Sequence, residues 1–328
     1  MTARVCFATA GVALLLAALV ALCSGRYAIG PLALFASLGH DGDITTRAVL
    51  LQARLPRLVA SVGIGAALSV SGAAFQAVFR NPLVSPDLLG VLSGSAFGAA
   101  AAILCHATPV TIQLATFAGG CCAVGCGFCI ARLVGSEGIL PLLLGGLISA
   151  ALFTALLSLL KYLADPFDTL PAIIYWLLGS LAQTRWPELA VIMPILCLVM
   201  GALWIGGRLL DVLGLSDDEA HSLGLPIGAM RWGVLLLATA LGALTVSLAG
   251  MIGWIGLLVP HIARLLVGPD HRLLLPFSAM LGAVCLTLAD TAARTLSPSE
   301  MPLGMMTELF GALGFIFVLR RLRREGSL

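Results

Sequence analysis

Apolar runs of about twenty residues recur from the first ten residues of this chain to the last ten, and the polar stretches between them are short. A helix that crosses a hydrocarbon layer of about 30 Å needs roughly 20 mostly apolar residues. The runs are continuous rather than alternating, which argues against a membrane β-barrel. Hydrophobic residues make up 60% of the 328 and charged ones 10%, with a mean hydropathy of +1.07, whereas soluble domains carry about 25% charged residues. The expectation is an all-α, polytopic membrane bundle, residues 1–328 forming one transmembrane domain. A formal charge of +2 gives no sign of nucleic acid binding.

Ten crossings are read at roughly 5–23, 58–80, 88–105, 110–131, 139–161, 188–206, 231–251, 256–268, 273–293 and 303–320. The first superficially resembles a secretory signal, but nine further runs follow, so it reads as a membrane helix. The piece Pro171 to Gln183 is too short to span and reads as re-entrant or interfacial, with Thr169 able to cap it. An even count puts both termini on one side. The basic tail Arg320, Arg321, Arg323 and Arg324 marks that side as cytoplasmic.

A repeat is visible at a constant offset: Ser69, Gly72, Pro82 and Gly90 match Ser247, Gly250, Pro260 and Gly268, with 250 − 72 = 178. Copies five crossings apart are inverted, the pattern of transporters that open alternately to each side.

The segment GRLLDVLGLSDDEAHSLGLPIG, Gly207 to Gly228, is the longest polar stretch of the second half. Ser216 with Glu219 three residues on makes a capping box, Asp217 and Asp218 suit the positive helix end, and Gly224 with Pro226 stops the helix. Two short, well-terminated helices on the cytoplasmic side read as a docking knob, set against an ordinary solvated loop. The segment Arg80-Asn81-Pro82-Leu83-Val84-Ser85-Pro86-Asp87-Leu88-Leu89-Gly90 is a proline-broken turn, and reads as a gate or a plain connection. Arg54 and Arg57, three apart, and Arg294 lie on the outer side against the charge trend. An acidic partner or lipid-headgroup snorkelling accounts for them, and Asp290 is placed to pair with Arg294 four residues on. Glu308, His261 and Arg264 lie within spans, as pathway candidates or as snorkelling and core groups. Cys121, Cys122, Cys126 and Cys129 cluster without a flanking His or carboxylate and read as small hydrophobes.

Lys161 is the one lysine, so no GxxxxGK[ST] phosphate loop exists, and no metal or nucleophile motif appears. The chain itself is expected to be no enzyme and to bind no cofactor.

Five segments together resemble the permease subunits of FecCD-type ABC importers for iron–siderophore complexes, haem and cobalamin. They are RLPRLVASVGIGAALSVSGAAFQAVFRNPLVSPDLLGVLSGSAFGA, YWLLGSLAQTRW, DVLGLSDDEAHSLGLPIG, GWIGLLVPHIARLLVGPDHRLLLP and LADTAARTLSPSEMPLGMMTELFGALGFIFVLRR, spread from about Arg54 to Arg321. The resemblance implies a bacterial inner-membrane homodimer. Two ATPase subunits, the users of ATP and Mg, bind below it, and a periplasmic or lipid-anchored binding protein docks above. By similarity, Ser216, Asp217, Asp218, Glu219, Ala220, Leu223 and Gly224 belong to the helix that couples to the ATPase. Likewise Asn81, Pro82 and Leu83, with Gly135, Ser136 and Glu137, belong to cytoplasmic gates. Arg54, Arg57 and Arg294 fall where such permeases meet glutamates of the binding protein, and Pro171–Gln183 matches the short helix at the outer gate. The segment GALGFIFVL departs from the family's usual GAPFFLYLL, and Glu308 stands where a small or apolar residue is usual. The expected cargo is a metal chelate, ferric siderophore first, then haem and cobalamin. The rival reading is an ion-coupled secondary transporter, which needs a buried carboxylate or histidine relay in mid-span.

Overall fold

The computed structural model describes residues 2–27, 29–38, 43–135, 138–222, 224–297 and 299–324. The elements in order are α1 (Ala3–Cys23), α2 (Pro31–Leu38), α3 (Ile44–Phe79), α4 (Val91–Leu104), α5 (Pro109–Leu133), α6 (Ile139–Leu163), α7 (Thr169–Leu177), α8 (Trp186–Ile205), α9 (Gly207–Leu213), α10 (Asp217–Ser222), α11 (Ile227–Ala249), α12 (Ile255–Val267), α13 (His271–Thr295) and α14 (Leu303–Arg324). Among the described residues, seven helices are long and apolar enough to cross a membrane: α1, α3, α5, α6, α8, α11 and α13. Three shorter apolar stretches, Val91–Leu104, Ile255–Val267 and Leu303–Ile316, bring the number to the ten read from the sequence. The protein is an integral membrane helical bundle.

The helix containing Arg54 begins at Ile44, well before the expected residue 58. Residues Val49–Arg54 form a π-turn in which the Leu55 N–H bonds Leu50 O, five residues back. The reason lies one position further on. Pro56 offers no N–H and its ring crowds the carbonyl of Gln52, and the wider turn absorbs that clash without ending the helix. The α2 helix was not foreseen.

Hydrogen bonds between loops divide the bundle into two end faces. One carries the start of α1 with α9 and α10: Arg80 Nε donates to Leu213 O (2.8 Å), Trp204 Nε1 to Arg272 O (3.1 Å), and the His271 backbone N–H to Asp211 Oδ1 (3.0 Å). The other carries the acceptors of Arg54 and Arg294: Trp186 Nε1 donates to Leu51 O (2.8 Å) and Ser180 N–H to Ala249 O (2.9 Å). These are the knob face and the arginine face. The start of α1 and the end of α14 both lie toward the knob face.

The internal repeat exists, but not in the register expected. The α-helical part of α3, Leu55–Phe79, followed by α4, α5 and α6 has lengths of 25, 14, 25 and 25 residues; α11 to α14 have 23, 13, 25 and 22. Each packing pair has its counterpart: α4–α5, α5–α6 and α4–α6 against α12–α13, α13–α14 and α12–α14, and α3 on α12 and α13 against α11 on α4 and α5. α3 runs toward the knob face and α11 away from it, so the copies are inverted. At the offset of 178, however, Gly72 lies inside α3 while Gly250 caps the end of α11, and Gly90 begins α4 while Gly268 ends α12. The third helices instead match at 271 − 109 = 162, which pairs Gly120 with Gly282. A methyl at Gly120 would strike Ser95 and Ala243, and one at Gly282 would strike Ser69 and the Gly65 carbonyl. Small residues let these backbones approach closely where lipid supplies no hydrophobic drive. Matching Gly and Pro by identity caught the repeat but aligned residues with unlike roles.

Candidate functional site: a core-anchored knob and a proline-broken turn

The knob forms as its sequence predicts. Ser216 Oγ accepts from the Glu219 N–H (3.2 Å), while the Glu219 carboxylate accepts from the Ser216 N–H (3.0 Å) and hydroxyl (2.8 Å). This is a complete capping box. Those bonds from Ser216 hold the Glu219 carboxyl below the usual carboxylate range. Gly224, at φ +69°, supplies the left-handed residue that ends the segment. Leu210, Leu213 and Ala220 are fully buried in the same cluster as Phe75, Phe79 and Leu235, whereas Ser216, Glu219 and Ser222 are exposed. Ala220 therefore anchors the knob rather than presenting a contact. Leu223 lies outside the described residues, as do the side chains of Asp217 and Asp218.

The turn after α3 lies against this knob. Arg80 closes the helix in the left-handed region (φ 50°, ψ 33°), with Asn81 N–H bonding Gln76 O (3.2 Å) and Arg80 N–H bonding Ala77 O (3.3 Å). That is the double bond pattern usually built on glycine. A non-glycine residue there stores about 1–3 kcal/mol of strain. The Arg80 side chain offsets it by bonding Leu213 O at the end of α9, so one residue ties the turn to the knob. Asn81 Oδ1 then accepts the Leu83 N–H (2.9 Å), an Asx turn that leaves Leu83 53% exposed. Arg80 was not among the expected site residues. Its only trace in the sequence is a bulky charged residue where a helix stop favours glycine. Gly135 (φ +77°) ends the turn after α5; Ser136 and Glu137 lie outside the described residues.

The arginine face differs from expectation. Arg54 is buried, with both terminal nitrogens donating to Leu22 O and Tyr27 O. Arg294, also buried, donates to Ser24 O (3.2 Å) and Ala21 O (2.5 Å). Asp290, 2% exposed, takes Arg57 through two contacts at 2.9 and 3.0 Å and approaches Arg294 at 3.5 Å. Arg57 Nη1 reaches outward to Glu300 (2.9 Å). The three arginines hold the end of α1 and the segment after it against α3 and α13. Only Arg57 retains an outward-facing partner, while Arg47 and Arg185 are exposed cations on this face.

The short helix α7 starts at Thr169, which makes no cap; the Asp165 carboxylate accepts from Phe167 and Asp168 N–H instead (2.8 and 3.1 Å). Its end meets the start of α14, with Leu303 and Gly304 N–H donating to Gly179 O and Leu178 O (3.0 Å each). The unpaired carbonyls of one helix end thus satisfy the unpaired N–H groups of another. Gly179, Gly250 and Gly304 permit that approach.

Glu308 is exposed one turn into α14, its Cγ beside Gly253. His261 and Arg264 sit near the knob face, with Arg264 Nη1 donating to Gln76 Oε1 (3.0 Å). Cys121, Cys122, Cys126 and Cys129 carry no disulfide, and no group of three or more His, Cys, Asp or Glu is placed to hold a metal among the described residues.

The FecCD transport family matches residues 13–321. The chain is 36% identical over 318 residues to the molybdate import system permease protein MolB of Haemophilus influenzae, covering 95% of this chain and 94% of that one. It is 39% identical to the cobalamin import system permease protein BtuC of Halobacterium salinarum (84% and 74% covered) and 38% to the hemin transport system permease protein HmuU of Yersinia pestis (85% of each). A solved transporter chain, titled as of the metal-chelate ABC type in an inward-facing conformation, superposes with a TM-score of 0.89 at 35% identity, over 97% of this chain and 99% of that one.

Proposed function

The chain belongs to the FecCD transport family, and on that footing we propose that it is the permease subunit of an ATP-driven importer of metal chelates. In this reading two copies enclose a path. Two separate ATPase subunits grip the knob, and a binding protein delivers cargo at the arginine face. The knob face is then cytoplasmic, in a bacterial inner membrane. The observation that carries the proposal is the mechanical continuity of the knob. Its apolar side is built into the bundle core through Leu210, Leu213 and Ala220, and Arg80 fastens it to the turn at Asn81–Leu83. A push on exposed Ser216, Glu219 and Ser222 therefore reaches the end of α3 without passing through a compliant loop. An externally driven switch requires that kind of two-state connection.

Docking of an acidic binding protein falls to Arg57, by exchange of its Glu300 contact, and to exposed Arg47 and Arg185, with Arg54 and Arg294 holding the rim. The α7 end, braced on α11 and α14 by the Gly179 contacts, forms the gate on that face. Relatives of nearly equal identity are named for molybdate, cobalamin and hemin, so overall similarity does not select the cargo; ferric siderophore is the first chelate to test. Cells lacking this protein should lose growth on one chelate as sole iron or cofactor source and regain it on complementation. Undiminished uptake of every chelate in the deleted strain overturns the reading.

A further inference from the structure

The knob face holds a cavity of about 340 Å³ between the ends of α3 and α12, the start of α13 and the knob, lined by Gln76, Arg80, Asn81, Gly214, His261, Arg264 and His271, among others. Among the described residues no carboxylate belongs to its lining. Two guanidinium groups, two imidazoles and two side-chain amides converge there. His271 is 7% exposed, and its Nε2 has no hydrogen-bond partner among the described residues; nor has His261 Nδ1. Buried polar atoms are nearly always paired, so these atoms lack a partner; with Nδ1 donating to Asp211, Nε2 of the neutral ring is an acceptor, and the donors offered to an anion are the guanidinium groups. His271 is oriented from behind, its Nδ1 at 2.6 Å from Asp211, which fixes the ring and turns Nε2 away from that carboxylate. Among the described residues Arg264 has one hydrogen-bond partner, Gln76 Oε1, which leaves most of its five donors uncommitted. Acidic groups stand around the site rather than in it: Asp211 behind His271, and Glu219 near enough to Arg80 to be felt.

We propose that this cavity binds a phosphate-class oxyanion, as a free ion or as the headgroup phosphate of an anionic lipid. Arginine forks match the paired oxygens of such an anion. Basic pockets between helices at a membrane surface suit lipid phosphates equally. Its walls belong to both the Asn81–Pro82 turn and Gly214 of the knob, so an occupant bridges the two parts that Arg80 already joins. The site therefore tunes the stiffness of that connection. The inference stands whatever cargo the bundle carries, and whatever drives it.

The test uses the full chain, stripped of lipid in neutral detergent. Equilibrium binding of radiolabelled orthophosphate is measured beside native mass spectrometry with phosphatidylglycerol and with phosphatidylcholine. One orthophosphate per chain identifies a free-ion site, and one phosphatidylglycerol per chain in preference to phosphatidylcholine identifies a headgroup site; either supports the proposal. Arg264→Gln should weaken binding about tenfold or more, and Arg264→Lys, which keeps the charge but loses the fork, by a smaller factor. Asn81→Asp keeps the Asx turn but adds a carboxylate to the lining, and gives the same loss in a variant expected to fold. The proposal fails if neither probe binds, if phosphatidylcholine binds as well as phosphatidylglycerol, or if Asn81→Asp binds like wild type.

Discussion

The arginine face and the knob treat charge in opposite ways. At the arginine face the charged groups turn inward: Arg54 and Arg294 donate to backbone carbonyls of the segment after α1, and Asp290 is enclosed by Arg57 and Arg294. At the knob the apolar groups are enclosed and Glu219 is exposed above Leu210, Leu213 and Ala220. Buried charge is costly unless paired and is strongly destabilising when one partner is removed; exposed charge contributes little to stability. The arginine face should therefore respond to charge mutation by unfolding, and the knob by losing function while remaining folded.

The largest effect is expected at Asp290. Asp290→Ala leaves Arg57 and Arg294 without their shared anion and should cost about 3–5 kcal/mol, read as a lowered unfolding midpoint in detergent. A variant as stable as wild type would erase the contrast between the faces. Next comes the knob: replacing Asp217, Asp218 and Glu219 together by alanine should cut ATP-coupled uptake about tenfold or more while lowering the unfolding midpoint far less than Asp290→Ala. A loss of stability as large as that of Asp290→Ala would show the knob to be structural as well. Arg185→Ala, which removes an exposed cation of the same face and touches no buried pair, should weaken docking of an acidic binding protein by about 1 kcal/mol, more visibly at low salt, measured by surface binding across ionic strength; an affinity independent of salt contradicts it. Arg80→Gly separates the tether from the strain. It removes the bond to Leu213 while relieving the left-handed backbone, so stability should hold or rise by about 0.5–1 kcal/mol as coupling falls.

The smallest effect concerns pH. Because Ser216 depresses the Glu219 pKa, the capping box contributes in full above the ordinary glutamate value of 4.5 and is lost as pH falls through the lower folded value. Exchange of the α10 amides should thus be unaffected by pH from neutrality to about 4.5 beyond the intrinsic dependence. Fraying that begins near pH 6 would contradict the box.

The sequence carried most of the fold because lipid imposes a length and a composition on every crossing. The capping box at Ser216–Glu219 was equally plain, since its bonds join residues three apart. What was hidden depended on contacts between distant segments. Arg54, Arg57 and Arg294 read as outer cations for an acidic partner or lipid headgroups, with Asp290 placed to pair with Arg294, and only the return of residues 22–27 over α3 and α13 shows Arg54 and Arg294 to be buried. Arg80 gave only the faint signal of a charged residue at a helix stop, because its role rests on Leu213, 133 positions away. Pro56 could have warned of the π-turn, but not that the helix would continue upstream to Ile44.

The central claim is that an outside motor drives this bundle through the knob. The most direct measurement is cargo accumulation in vesicles containing the chain with or without its candidate ATPase and binding protein. The account predicts uphill accumulation only with both partners present and ATP supplied on the knob side, and none with ATP on the arginine side. Uphill accumulation by the chain alone, sustained by an ion gradient, would contradict it.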